Sequence, residues 1–302
     1  MKIVIPTYGR MNKQITLDSL SLLKEHIWLV VRPEEEDEAR KIHHQVKVIT
    51  YSVHHQGDTL EWIVKHGFPG ELIWMVDDDL TFLERVKHAD PLKETCSNIG
   101  QRVKPQIITE MWEMIQEYSK KYVHGGISTT VAPTHFDSLP HQLNSRYCTN
   151  KWYDLSKIDV NRVDWSAVSA AEDFWVMLEL YEQGHDFVNI TKYGSSGSPT
   201  NSVGGCSTYR TVEVHNDSMN KLQARFPEWV KLHEHEVESG PWKGETKLKA
   251  RISVKRKFKQ IINNTSNVNT FTNLFEVTLT VPPVPHWVFN CFTNSCKVSG
   301  LD

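Results

Sequence analysis

The run Ile73-Trp74-Met75-Val76-Asp77-Asp78-Asp79-Leu80 sets three consecutive carboxylates at the end of an apolar segment. Carboxylates this close repel one another unless a positive charge joins them. A hard divalent cation supplies that charge, since Mg²⁺ and Mn²⁺ take oxygen ligands and are commonly shared with substrate phosphates. If the segment stays extended, side-chain alternation turns Asp77 and Asp79 to one face. One would then address the ribose or base side of a nucleotide, and the other its pyrophosphate through the metal. The same residues also read as a solvated acidic turn that caps the next helix. Farther along, Ala171-Glu172-Asp173-Phe174-Trp175 opens an amphipathic stretch with an acid pair. The helix dipole favours the anionic form of an acid in a first turn. That suits a carboxylate that takes a proton from a hydroxyl. Plain helix capping is again the alternative.

The elements that must hold these acids are legible around them. Lys2-Ile3-Val4-Ile5 reads as a buried strand closed by Pro6, and Ile27 to Val31 as a second. Val46 to Tyr51 is a third, and Glu71 to Val76 a fourth that stops at Asp77. Between them, Leu17, Leu20, Leu22 and Leu23 at near-helical spacing predict a helix over 15–26. Pro33 followed by five acids suits a helix N-terminus, and Asp58 is expected to cap a helix through Leu60 and Ile63. This alternation predicts an α/β fold: a mostly parallel central sheet flanked by helices. Ligands bind such sheets at the carboxyl ends of strands, where Asp77 falls. Downstream, a helix is expected over 105–122, a strand over 125–131, and a second helix over 170–183 ending at Gly184. Tyr193 to Gly205 is rich in Gly, Ser, Thr and Asn and reads as a mobile loop, suited to a lid over a bound donor.

Composition bounds the function from outside. With 39% hydrophobic and 24% charged residues, the chain of 302 residues is not a disordered one. No run approaches the ~18 apolar residues of a membrane-spanning helix, and the apolar stretch after Met1 is too short for a signal peptide. A cytoplasmic protein, of a cell or of an infected one, is expected, with no membrane partner. Cys96, Cys148, Cys206, Cys291 and Cys296 form no CxxC pair, which argues against a disulfide framework or a zinc knuckle. The net charge of -3 confines any nucleic-acid surface to a local patch.

In their order along the chain, the Pro6-Thr7-Tyr8-Gly9-Arg10 loop, Gln56-Gly57, the Asp77-Asp78-Asp79 strand end and Glu172-Asp173 resemble the GT-A glycosyltransferases. These are Rossmann-related enzymes that use nucleotide-sugar donors, and the resemblance covers roughly residues 1 to 190. It implies that Pro6, Thr7 and Tyr8 hold the nucleotide base and ribose, with Arg10 near the diphosphate. Asp77 and Asp79 match the two acids of the DxD motif that binds Mn²⁺ or Mg²⁺, and Asp78 is also set against the donor. Glu172 and Asp173 match the xED motif, whose acid commonly serves as catalytic base in inverting members. A downstream histidine often completes the metal site, and His215 is the first candidate for it, with His185 behind. Three aspartates in a row depart from the family pattern and leave the register of the metal ligands open. Within GT-A enzymes the first loop is similar to that of phage enzymes that glycosylate hydroxymethylated pyrimidines in DNA, the group associated with TET/JBP-type hydroxylases. The implied donor is a nucleotide sugar, UDP-sugar favoured, and the implied acceptor is such a base.

The sequence beyond residue 242 is of another character. Residues 1–242 are expected to form the transferase domain, and 243–302 a basic segment followed by a low-charge tail. Lys243 to Lys259 carries eight basic residues against Glu245, and reads either as a path for a DNA backbone or as a solvated basic helix. Protein, lipid or polysaccharide acceptors, a nucleotidyltransferase, and a non-catalytic nucleotide- or DNA-binding module stand as alternatives. A nucleotidyltransferase usually has a glycine-rich basic loop after its first strand, and residues 6–14 lack one. None of the fifteen histidines falls in a zinc-site spacing. Trp28, Trp62, Trp74 and Trp112 are expected in the core, whereas Trp152, Trp165, Trp229 and Trp242 lie near polar segments and are candidates to stack on a sugar or base. Oligomeric state is left open.

Overall fold

A computed structural model of the chain describes residues 1–52, 55–84, 105–129, 140–197, 204–205 and 209–254. All belong to one unit that spans Met1–Arg256. Its apolar runs become strands: β1 (Lys2–Pro6), β2 (Ile27–Val31), β3 (Lys47–Thr50) and β4 (Leu72–Val76). They pair in parallel in the order β3-β2-β1-β4, as strand–helix alternation requires. The connecting helices are α1 (Ile15–Ser19), α2 (Glu36–Ile42) and α3 (Gln56–Trp62). The helix expected over 15–26 breaks at Leu20 into α1 and a 3-10 turn over Ser21–His26. Asp58 does not cap α3 but sits inside its first turn, after His55.

After β4 come β5 (Thr81–Glu84), α4 (Pro105–Lys121), β6 (His124–Thr129), β7 (His141–Leu143) and β8 (Asn150–Asp154). Then follow α5 (Glu172–Glu182), β9 (Val188–Ser196), α6 (Val212–Arg225), β10 (Val230–Glu236) and β11 (Thr246–Ile252). The sheet continues β4-β8-β6-β9-β5, with β7 beside β9. β8 runs antiparallel to both β4 and β6, so its first residues lie beside the carboxyl end of β4: Lys151 opposes Met75, and Asn150 opposes Val76. The first half of β9 pairs with β6 and its second half with β5. Tyr193 to Ser196, expected in a mobile loop, is therefore strand that folds back beside the aspartates. Residues 198–203 of that segment lie outside the described residues, as do residues 206–208 after it.

Side-chain alternation sorts the core into two layers. Ile3, Ile5, Trp74 and Val76 face one layer with Met111, Trp112 and Ile115 of α4. Val4, Ile73 and Met75 face the other with Leu60, Ile63, Tyr153 and Trp165. A third cluster joins α5, α6 and the β10–β11 hairpin through Met177, Tyr181, Leu222, Phe226 and Trp229. Trp152, Trp165 and Trp229 are thus core residues, not stacking platforms. Trp28 and Trp62 pack at the edge of the second layer. No helix among the described residues is long and apolar enough to cross a membrane. The composition change at 242 does not interrupt the chain path, since β11 pairs antiparallel with β10. Residues 255–302, with Lys255, Arg256, Lys257 and Lys259, lie outside the described residues, as do Cys96, Cys206, Cys291 and Cys296.

Close approach rather than turn geometry demands the glycines of β6. A Cβ on Gly126 would lie 2.4 Å from the Tyr147 Cβ and 2.6 Å from the Asn150 carbonyl oxygen. Since β6 aligns β8, Gly126→Ala should destabilise the protein by about 1–3 kcal/mol, read as a lower melting temperature. An unchanged melting temperature would contradict this packing.

Candidate active site

A cavity of about 690 Å³ opens at the carboxyl ends of β1 and β4 and is closed by the starts of β8 and α5. All the acids picked out by sequence line it: Asp77, Asp78, Asp79, Glu172 and Asp173. The segment after β4 stays extended long enough for neighbours to part. The Asp77 N–H extends the ladder to the Thr149 carbonyl at 3.1 Å. Asp78 turns back into the fold, where it accepts from Thr7 Oγ1 at 2.6 Å and Arg10 Nη1 at 2.7 Å. Gln14 Nε2 donates in turn to Thr7 Oγ1 at 2.8 Å. Asp78 thereby ties the first loop to the fourth strand. Arg10 also reaches Asp79 at 3.1 Å and the Gly204 carbonyl at 3.3 Å.

Asp77 and Asp173 are brought together by a residue that sequence reasoning passed over. Lys151, 1% exposed, projects from β8 and donates to Glu172 Oε1 at 3.0 Å, with Asp77 and Asp173 beside it. Burial works against its charge, but Glu172, Asp173 and Asp77 outweigh it and hold the ammonium above the ordinary lysine range. Burial raises Asp173 to about 6, with Glu172 adding to the shift and Lys151 opposing it. Asp173 also accepts the N–H of Phe174 at 2.9 Å. Burial pushes Asp77 up to about 8 against Lys151, with Asp79, Glu172 and Asp78 contributing. The only hint of Lys151 in the sequence is a lone lysine beside Trp152-Tyr153.

The backbone before the acid pair is strained. Ala171 caps α5 with φ +61°, a left-handed conformation uncommon for residues with a Cβ. Such strain, of order 1–3 kcal/mol, gathers at functional sites. On the other wall, Pro6, Thr7 and Tyr8 face the cavity as the resemblance implies. The Arg32 guanidinium stacks 3.6 Å from the Tyr8 ring centroid, and Glu35 fixes the loop by accepting the Gly9 N–H at 2.7 Å. Arg146, Arg210, Lys247 and Lys249 also line the cavity. None of the four was singled out by sequence for this wall.

The donor set fits a hard cation that substrate phosphates share. The Asp77 carboxylate makes no hydrogen bond or ion pair with another described residue, whereas Asp79 shares the Arg10 guanidinium with Asp78, and both Asp77 and Asp79 line the cavity. Among the described residues no three His, Cys, Asp or Glu side chains lie close enough to hold a metal by themselves. Magnesium sites commonly use one or two carboxylates and leave the remaining positions to phosphates and water. His215, on α6, lines the cavity and donates Nε2–H to the Leu248 carbonyl at 2.9 Å, which leaves Nδ1 as the acceptor. Metal-binding imidazoles commonly donate their other N–H to a carbonyl in this way, but among the described residues His215 does not join the aspartates in a ligand cluster. His185 does not line the cavity; its carbonyl faces His124 Nε2 at 3.3 Å.

A family model described as TET-Associated Glycosyltransferase matches residues 1–205. The chain is 27% identical over 253 residues to the beta-glucosyl-HMC-alpha-glucosyl-transferase of Enterobacteria phage T6, covering 81% of this chain and 88% of the phage protein. It is 27% identical over 270 residues to the protein of the same name from Enterobacteria phage T2, covering 86% and 94%. Among solved structures, a 4-diphosphocytidyl-2C-methyl-D-erythritol synthase from Anaerococcus prevotii aligns with TM-score 0.40 at 14% identity, over 75% of this chain and 96% of that one. That likeness is too slight to support a statement about this chain.

Removing Lys151 tests the electrostatics directly. Lys151→Met leaves buried carboxylates without their cation, a change that costs about 3–5 kcal/mol. Its folded-state carboxyl pKa values then rise further above their unfolded values, so stability returns as pH falls and they protonate. The variant should melt well below wild type at pH 8, and the gap should narrow at pH 5. A pH-independent gap would contradict the charge assignment.

Proposed function

The chain belongs to the TET-associated glycosyltransferase family, and from that membership we propose that it moves a sugar from a nucleotide-sugar donor, a UDP-sugar favoured, to a hydroxymethylated pyrimidine of DNA. The observation that carries this reading is the meeting of Asp77, Asp79 and Asp173 in one cavity, opposite the Tyr8 loop. The names of the two phage relatives support a DNA acceptor, and also support a hydroxyl on a glucose already attached to the base. Protein, lipid and polysaccharide acceptors lack any such support.

In this reaction the nucleotide lies along Pro6, Thr7 and Tyr8, with its diphosphate toward Asp77, Asp79 and Arg10. Mn²⁺ or Mg²⁺ bound by Asp77 and Asp79 would stabilise the charge on the leaving diphosphate. The bond from the sugar's anomeric carbon to that diphosphate breaks, and a new bond forms from the same carbon to the acceptor oxygen. The acceptor's proton goes to Asp173, held in place by its bond to the Phe174 N–H. A base of pKa about 6 is well suited to this at neutral pH. Glu172 is engaged by Lys151, so it positions the helix start and offsets the lysine charge.

Incubation with a mixed donor pool and DNA bearing hydroxymethylcytosine, glucosylated hydroxymethylcytosine or hydroxymethyluracil, followed by nucleoside mass spectrometry, tests the proposal. A hexose or pentose increment on one base is expected. Donor hydrolysis with no increment on any DNA would overturn the acceptor. Asp173→Asn should keep donor affinity and lower turnover at least 100-fold, whereas Asp77→Asn should weaken donor binding itself. Because Asp173 must be deprotonated to act, wild-type kcat/KM should fall as pH drops through about 6. Wild-type turnover by Asp173→Asn would remove it as the base.

A further inference from the structure

The β10–β11 hairpin has two chemically opposite faces. Alternation puts Val230, Leu232, Leu248, Ala250 and Ile252 on one side, where they pack into the third core cluster. The other side carries Lys231, His233 and His235 from β10 and Lys247, Lys249 and Arg251 from β11. Register pairs Lys231 with Arg251, His233 with Lys249, and His235 with Lys247. Every position on that face is thus a basic residue or a histidine. The hairpin's nearby acids, Glu234 and Glu236, fall on the alternate positions.

Cross-strand like charges destabilise a hairpin, so the Lys231–Arg251 pair, on one face with Lys247 and Lys249, needs a reason outside the fold. None of the six side chains makes an ion pair or hydrogen bond with another described residue, and the Lys247 ammonium lies 5.4 Å from the Trp242 ring centroid. Burial, with Arg210 and Lys249 nearby, holds Lys247 below the ordinary lysine range. The face leads to the active cavity, where His233, Lys247 and Lys249 form part of the wall. It continues past it, because Arg146 and His233 also line a neighbouring cavity of about 740 Å³ with Arg251.

We infer that this face of the β10–β11 hairpin is the docking surface for the phosphate backbone of duplex DNA, delivering the acceptor base to the cavity beside it. The inference rests on the DNA-acceptor reading above. Along β11, Lys247, Lys249 and Arg251 recur about every 6.7 Å, a row suited to a polyanion. The opposite face is packed against the protein, so the hairpin does not enter a groove; it binds backbone and reads no sequence. Base selection is left to the cavity.

The test compares wild type with the double variant Lys231→Ala and Arg251→Ala, both at exposed positions outside the active cavity. A second variant, Lys24→Ala and Lys120→Ala, removes the same charge elsewhere. Each is assayed for binding to modified duplex DNA across a salt series and for transfer to duplex DNA and to a free hydroxymethylated nucleoside. The hairpin variant should lose at least 10-fold in duplex affinity, and its log–log salt slope should flatten by about 0.9 per lost phosphate contact. Its transfer to the nucleoside should match wild type and its melting temperature should equal or exceed that of wild type, and the second variant should bind and modify DNA as wild type does. Equal affinity and slope in the hairpin variant, with wild type active on DNA, would overturn the inference alone. Wild type that modifies nucleoside or another acceptor but no DNA would overturn the DNA reading and this inference with it.

Discussion

The site depends on one buried ammonium. Lys151 lies among Asp77, Glu172 and Asp173, carboxylates from two elements far apart in sequence. Burying an ion costs several kcal/mol, and only close opposite charges offset that cost. With Lys151 in place, the end of β4 and the start of α5 can approach. Without it, the acids would have to protonate or separate. Arg10 does the matching work on the other side of the aspartates, where it holds Asp78 and Asp79.

The topology follows from this need. A fifth parallel strand beside β4 would bring its carboxyl end to the cavity. The antiparallel β8 instead brings its start there, placing Lys151 opposite Met75, two residues before Asp77. Its polar neighbour Asn150 is also buried, and accepts the indole N–H of Trp74 at 2.6 Å. β6 must be glycine-rich to let β8 and Tyr147 come close. The left-handed Ala171 then turns the chain so that Glu172 meets the lysine and Asp173 faces the cavity.

The first four strands were legible because each is an apolar run ended by a breaker or by charge. The acids were legible because their types and positions carry chemistry without reference to partners. β8 was not, since Asn150, Lys151 and Asp154 interrupt its apolar residues; only the partners that satisfy them make a buried strand possible. β9 was hidden by Gly194, Ser195 and Ser196, whose small side chains suit a strand packed under other chain as well as a loop. Lys247, Lys249 and Arg251 were read by charge alone. Their strict alternation with Leu248 and Ala250 was the signal for a strand with one basic face. Trp165 and Trp229 were misplaced because polar neighbours in sequence say little about neighbours in space.

On the proposed reading, Asp77 and Asp79 take a divalent cation together with the donor. Calorimetric titration of the wild-type protein with UDP, in Mn²⁺ and again in excess EDTA, measures this directly. Binding in Mn²⁺ that is lost or weakened at least 10-fold in EDTA is the expected result. Equal affinity in the two buffers would mean that Arg10 and Lys151 already complete the charge balance, and would contradict the account.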